Sequence, residues 1–112
     1  MFNPLLLYSP KPVNNVMVGA EGLNIEIQIR EGYNPLNIST ATTKNIILEK
    51  PSGAKIIVSA SFTSNGTDGK FYFVTSGSDL DESGIYSVQG FVNLGTFSGY
   101  STTTTFEVKQ NL

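Results

Sequence analysis

The sequence predicts an all-β sandwich of about seven short antiparallel strands, on three observations. Leu23-Asn24-Ile25-Glu26-Ile27-Gln28-Ile29-Arg30 alternates apolar and polar residues throughout, the two-residue period of a strand with one buried face. Turn-forming clusters recur between β-prone runs: Pro51-Ser52-Gly53, Asn65-Gly66-Thr67-Asp68-Gly69 and Asp81-Glu82-Ser83-Gly84. No stretch longer than a few residues fits the helical period.

Residues 1–12 read as an extended N-terminal arm ahead of a sandwich over residues 13–112. Pro4, Pro10 and Pro12 forbid a regular helix and disfavour a central strand. Phe2, Leu5, Leu6, Leu7 and Tyr8 nevertheless make the segment too apolar for a solvated tail. Two readings follow: a first strand packed along the domain's own edge, or an arm docked on a neighbouring subunit. Fully extended, such a segment reaches roughly 40 Å, enough for the second, so these five residues are expected to bind a partner.

The alternating strand directs Leu23, Ile25, Ile27 and Ile29 inward, and Glu31-Gly32-Tyr33-Asn34-Pro35 ends it. Strands are expected at Lys44–Lys50 and at Ala54–Phe62, the latter with Ile56, Val58, Ala60 and Phe62 on one face. Lys70–Val74 is a strand whose inward face the pattern leaves open. Ile85–Leu94, a loop over Gly95–Tyr100, and Thr102–Lys109 complete the set, with Phe106 or Val108 inward. If Tyr86 and Val88 face the core, alternation turns Ile85 and Phe91 outward. Phe97 and Tyr100, in a loop beside Gly95 and Gly99, either cap the domain's own core or form a contact surface.

At 112 residues the chain is one domain. Charged residues are 14% of the total against roughly 25% in an average soluble domain, so Ser, Thr, Asn and Gly must carry its solubility. A net charge of −2, with seven scattered basic residues, argues against nucleic-acid and anionic-membrane partners. There is no cysteine, hence no disulfide or thiolate site. Met1-Phe2-Asn3-Pro4 lacks the basic start of a secretion signal, so the chain is expected to be released as made. No apolar run approaches the ~20 residues of a membrane span.

The segment Asp81-Glu82-Ser83-Gly84-Ile85-Tyr86-Ser87-Val88 resembles the tyrosine-corner stretch of immunoglobulin-like domains, with Glu82, Gly84 and Tyr86 at the characteristic alternate positions. Glycine permits the corner, and the resemblance implies a tyrosine ring in the core with its hydroxyl bonded to upstream backbone. Val88 stands where the antibody pattern has cysteine, which argues against an extracellular antigen-receptor domain. For an immunoglobulin-like domain the lack of any cysteine implies cytosolic folding, a bacterial or viral origin, or both. Over roughly residues 13–109 the order of features is similar to the N-terminal domain of upper-baseplate proteins of tailed phages and to other immunoglobulin-like modules of phage virions. The shared features are the alternating second strand, Pro-Ser-Gly closing a hairpin, and Gly-Ile-Tyr-Ser-Val before a long final hairpin. A short chain with an apolar arm also looks like a capsid decoration (cement) protein.

The resemblance implies an immunoglobulin-like antiparallel β-sandwich serving as a structural protein of a phage virion, made in the bacterial host cytoplasm. The expected role is decoration and stabilisation of the shell through the arm and a sandwich face. A baseplate or tail adaptor, or a carbohydrate- or cell-surface-binding module using Tyr33, Phe97 and Tyr100, are the alternatives. Expected partners are a major capsid or baseplate protein and further copies of the chain; nucleic acid, membrane and cofactor are not expected.

An enzyme is not expected either. The chain contains no histidine, which removes Ser-His-Asp and metal-histidine chemistry. Asp79 with Asp81 or Glu82 is the nearest approach to a carboxylate pair or calcium site, and short acidic residues beside Ser and Gly are also what a solvated corner contains. Asn37-Ile38-Ser39 and Asn65-Gly66-Thr67 match the glycosylation pattern, which arises readily in so Ser-, Thr- and Asn-rich a chain.

Overall fold

The computed structural model describes residues 5–9 and 15–112. Ten strands, and no helix, occur among them: β1 (Leu5–Tyr8), β2 (Val16–Met17), β3 (Asn24–Glu31), β4 (Asn34–Pro35), β5 (Thr43–Glu49), β6 (Lys55–Ser59), β7 (Ser61–Phe62), β8 (Lys70–Val74), β9 (Gly84–Asn93) and β10 (Ser98–Lys109). One sheet runs β1-β3-β8-β7, with β4 also paired to β3; the other runs β2-β10-β9-β5-β6. Every described pairing is antiparallel except that of β2 with β10. The fold is all-β and sandwich-like. Ile25, Ile27, Ile29, Phe71 and Phe73 of the first sheet share one core with Ile46, Leu48, Tyr86, Val88, Val92, Phe106 and Val108 of the second.

The alternating strand becomes β3, with Ile25, Ile27 and Ile29 buried. Leu23, expected inward with them, lies just ahead of the strand and is only half-buried. Glu26 and Gln28 are also buried, although they occupy the opposite phase. The turn region after β7 accounts for this: Thr63 Oγ1 donates to Glu26 Oε2 at 2.6 Å, and Gln28 Nε2 donates to the Asp68 carbonyl at 2.8 Å. With those partners the outward polar groups are buried without an unmet hydrogen bond.

The run Ala54–Phe62 is two strands rather than one. β6 pairs with β5 in the second sheet and β7 with β8 in the first, so the chain changes sheets at buried Ala60. The inward phase survives the crossing because one core serves both sheets. Val58 is half-buried rather than buried because β6 is an edge strand. In β8 the inward residues are Phe71 and Phe73, and in β10 both Phe106 and Val108 are buried. Ile38 and Leu80, both outside strands, are fully buried and were not among the expected core residues.

The corner before β9 forms as its residues imply. Tyr86 is fully buried; its hydroxyl donates to the Glu82 carbonyl at 2.8 Å and accepts from the Glu82 N–H at 3.0 Å. Its ring stacks on Phe106, its cross-strand neighbour, with centroids 5.4 Å apart. Burial pushes the phenol's pKa up. Gly84 holds φ at +128°, and a Cβ there would lie 2.9 Å from Pro51 Cγ, so the corner packs directly on the β5–β6 turn.

That junction is held by polar contacts. Lys50 Nζ donates to Asp81 Oδ1 at 2.7 Å and to the Ser78 carbonyl at 3.1 Å. Ser52 donates from its N–H and its Oγ to the Glu82 carboxylate. The hydrogen bond from Lys50 holds the Asp81 carboxyl below its ordinary value, and the same bond raises Lys50. For Asp81, the contribution to stability is present above the unfolded carboxyl's pKa and lost as pH falls through the folded one; for Lys50, it is lost as pH rises through its raised value. Melting temperature measured against pH should therefore fall more steeply in acid for the wild type than for Asp81→Asn. Parallel acid limbs would show that the pair carries no linkage.

Candidate protein-interaction face

The residues expected to bind a partner are divided between two faces. Phe2 and the expected arm–sandwich boundary at 12/13 lie outside the described residues. Leu5–Tyr8 is β1, paired with Gln28–Glu31 of β3. Leu5 is buried in the core, and Leu7, half-buried, donates its N–H to Thr102 Oγ1 of β10 at 3.1 Å. Leu6 and Tyr8 face outward from the first sheet, opposite Arg30 and Gln28, and the Arg30 guanidinium lies 3.8 Å above the Tyr8 ring. The described part of the arm thus takes the place of the sandwich's own edge strand.

Phe97 and Tyr100 part company. Phe97 is half-buried against the core, and its ring lies 3.1 Å from where a Cβ on Gly99 would sit, close to Leu5. Tyr100 is not in a loop but in β10, 63% exposed on the outer face of the second sheet. Tyr33, 97% exposed, belongs to the β3–β4 turn of the first sheet.

A β-bulge places Tyr100 there. Counting back from buried Val108 and Phe106, strict alternation turns Thr104, Thr102 and Tyr100 inward. The register instead steps from Tyr100↔Phe91 to Thr103↔Gln89, so Ser101 and Thr102 together face Gly90. Buried Ser101 satisfies the irregularity: its Oγ accepts from the Gly90 N–H at 2.9 Å, and its carbonyl accepts from Gln89 Nε2 at 2.8 Å. The extra residue reverses the phase and sends Tyr100 outward, where its ring packs on Phe91 at 4.8 Å.

The outer face is defined by register. One row across the sheet is Ser59, Asn45, Phe91 and Tyr100; the next is Ile57, Ile47, Gln89 and Thr103; the next is Lys55, Glu49, Ser87 and Thr105. Ile57 is 67% exposed, while Ile47 and Phe91 are half-buried. Two adjoining hollows, of about 210 and 350 Å³, share Ile47, Lys55 and Gln89 in their walls, and Tyr100 and Ile57 border the larger. The surface carries apolar pairs in two adjacent rows, Phe91 with Tyr100 and Ile47 with Ile57, interleaved with amides and hydroxyls, and one charge of each sign in Glu49 and Lys55. Aromatic and aliphatic anchors within a polar rim are the anatomy of a protein-binding patch.

Ile57 and Ile47 were missed from sequence because both lie inside all-apolar runs, Ile56-Ile57-Val58 and Ile46-Ile47-Leu48. A signal was present: with Ile56 and Val58 inward, Ile57 must point out. The acidic cluster does different work from the chemistry considered for it. Asp79 Oδ2 accepts from the Ser76 N–H at 2.8 Å, while Asp81 and Glu82 are taken by Lys50 and Ser52. Asn37 and Asn65 each cap their own turn, accepting from the N–H and hydroxyl of Ser39 and Thr67 respectively.

No protein-family model matches the chain, and no curated protein matches its sequence.

Proposed function

We propose that this chain is a non-enzymatic immunoglobulin-like module that binds another protein through the outer face of its second sheet, and that its setting is a phage virion. The observation that carries the binding part is the pair of apolar rows, Phe91–Tyr100 and Ile47–Ile57, presented on an open sheet face. The immunoglobulin-like reading is supported by the strand order. Taking β1, β3, β8 and β7 as strands A, B, E and D, and β10, β9 and β5 as G, F and C, reproduces the two sheets of that architecture. The Tyr86 hydroxyl on Glu82 backbone supports it further. The virion setting rests on the resemblance of Pro51-Ser52-Gly53 and Gly84-Ile85-Tyr86-Ser87-Val88, in their order, to phage structural modules.

In this proposal attachment passes from the arm to the sheet face, because β1 is paired with β3 of its own domain and Leu5 is buried in that domain's core. The face spans roughly 20 Å in each direction, the scale of a modest protein–protein contact. Co-sedimentation with purified particles lacking the protein is the test. Wild type is expected to bind saturably, and Tyr100→Ala to bind about 30-fold more weakly, as expected on truncating an exposed aromatic anchor. Failure of wild type to sediment would remove the virion setting. Wild-type affinity in Tyr100→Ala would remove the face.

A further inference from the structure

We infer that the outer edge of β6 is a self-pairing surface, joining the second sheets of two copies across a two-fold axis centred on Ile57. β6 is the terminal strand of its sheet, and no described residue pairs with its outer side. Lys50 N–H donates to the Ala54 carbonyl at 2.8 Å and Ala60 N–H to the Lys44 carbonyl at 2.9 Å. In antiparallel alternation Ile56 and Val58 therefore bond to β5, whereas the N–H and C=O groups of Lys55, Ile57 and Ser59 point away from it. These outward groups form a template for one more strand.

The occupant that fits is a second copy of β6, because the strand is complementary to itself. Antiparallel pairing about Ile57 sets Ile57 against Ile57, Lys55 against Ser59, and Ile56 against Val58 of the other copy. Every apolar residue meets an apolar residue and no like charges face each other. Ile57, the most exposed aliphatic side chain of the strands, would be covered, as would Ile56 and Val58, which the monomer leaves half-buried. The usual protections of an edge are sparse here: Lys55-Ile56-Ile57-Val58-Ser59 holds no proline, no inward charge and a single lysine at one end. Pairing would also extend the outer faces of the two copies into one surface.

Sedimentation velocity of the isolated chain over a concentration series, up to millimolar, tests this without any particle. A reversible dimer is expected. Ile57→Lys, which brings two lysines face to face at the axis, should weaken it by about tenfold or more. It should leave the melting temperature of dilute monomer unchanged, since Ile57 is mostly exposed. Ser59→Glu, which sets a carboxylate opposite Lys55 of the other copy, should tighten the dimer in low salt and lose that gain in high salt. A chain monomeric at every concentration, a dimer indifferent to Ile57→Lys, or one weakened by Ser59→Glu would each overturn the inference. An intact dimer whose Tyr100→Ala variant still binds particles normally would overturn the face and leave the edge standing.

Discussion

Tyr86→Ala is expected to destabilise the protein by about 3–5 kcal/mol, the range for deleting a large buried aromatic, against a total of 5–15 kcal/mol for an ordinary domain. The ring is fully buried and stacked on Phe106, so its removal leaves a cavity inside the core. Its hydroxyl is a separate contribution. It serves both backbone groups of Glu82, tying the corner before β9 to the core. Tyr86→Phe keeps the ring and removes only that tie, and should cost about 1–1.5 kcal/mol. Denaturant midpoints of the two variants separate the parts. Equal losses would mean that the hydrogen bonds, not the packing, dominate; an unchanged midpoint in Tyr86→Phe would mean that the corner contributes nothing to stability.

Gly69→Ala should cost about 3 kcal/mol, of which 1–2 comes from the left-handed backbone and the rest from forced displacement of neighbours. Gly69 holds φ at +74°, and a Cβ there would lie 2.5 Å from the Ile29 carbonyl oxygen and 2.9 Å from that of Leu36. Both obstacles are backbone, and both belong to the join of β3 and β4: Ile29 N–H donates to the Gly69 carbonyl, and Leu36 N–H to the Ile29 carbonyl. A shift large enough to admit a methyl group would break the ladder. Gly53 is the control. Its φ is +95°, but no atom lies within 4 Å of the added Cβ, so Gly53→Ala should show the strain alone, about 1–2 kcal/mol. Thermal or chemical denaturation of the pair measures the difference, and matched losses would refute the crowding at Gly69.

Much of the core was legible because a sheet writes its inward face into the sequence every second residue. Ile25, Ile27 and Ile29, the phase of Tyr86 and Val88, and the exposure of Ile85 all follow from that rule. Tyr86 was legible for a different reason: the corner's hydrogen bonds span only four residues, so the whole device lies in one short segment. Ile38 and Leu80 were not legible. They sit in polar loops without periodicity, and each loop is bonded to a distant one, Ile38 N–H to the Gly66 carbonyl and the Leu80 carbonyl to Gly19 N–H, contacts that no local pattern announces.

The candidate face was harder, since it depends on how separate strands register. Single-strand alternation points Ile57 outward, but that Ile57 lies beside Ile47, and Tyr100 beside Phe91, is a property of the paired sheet. The proposed edge is similar: nothing local in Lys55–Ser59 says that β6 ends its sheet, because that follows from the chain crossing to the other sheet at Ala60.

By itself the sequence determined the all-β class, the alternating core of β3 and β9, the tyrosine–backbone corner, and the turns at Pro51-Ser52-Gly53 and Asn65–Gly69. Each depends on residues close along the chain, where sterics and side-chain period act directly. The tertiary structure decided the rest. It made Leu5–Tyr8 an edge strand because β3 offered a free ladder, buried Glu26 and Gln28 because Thr63 and Asp68 came to meet them, and turned Tyr100 to the surface through one extra residue opposite Gly90. Those outcomes hang on contacts between residues far apart in sequence, and a bulge of one residue is enough to reverse which side of a strand is inside.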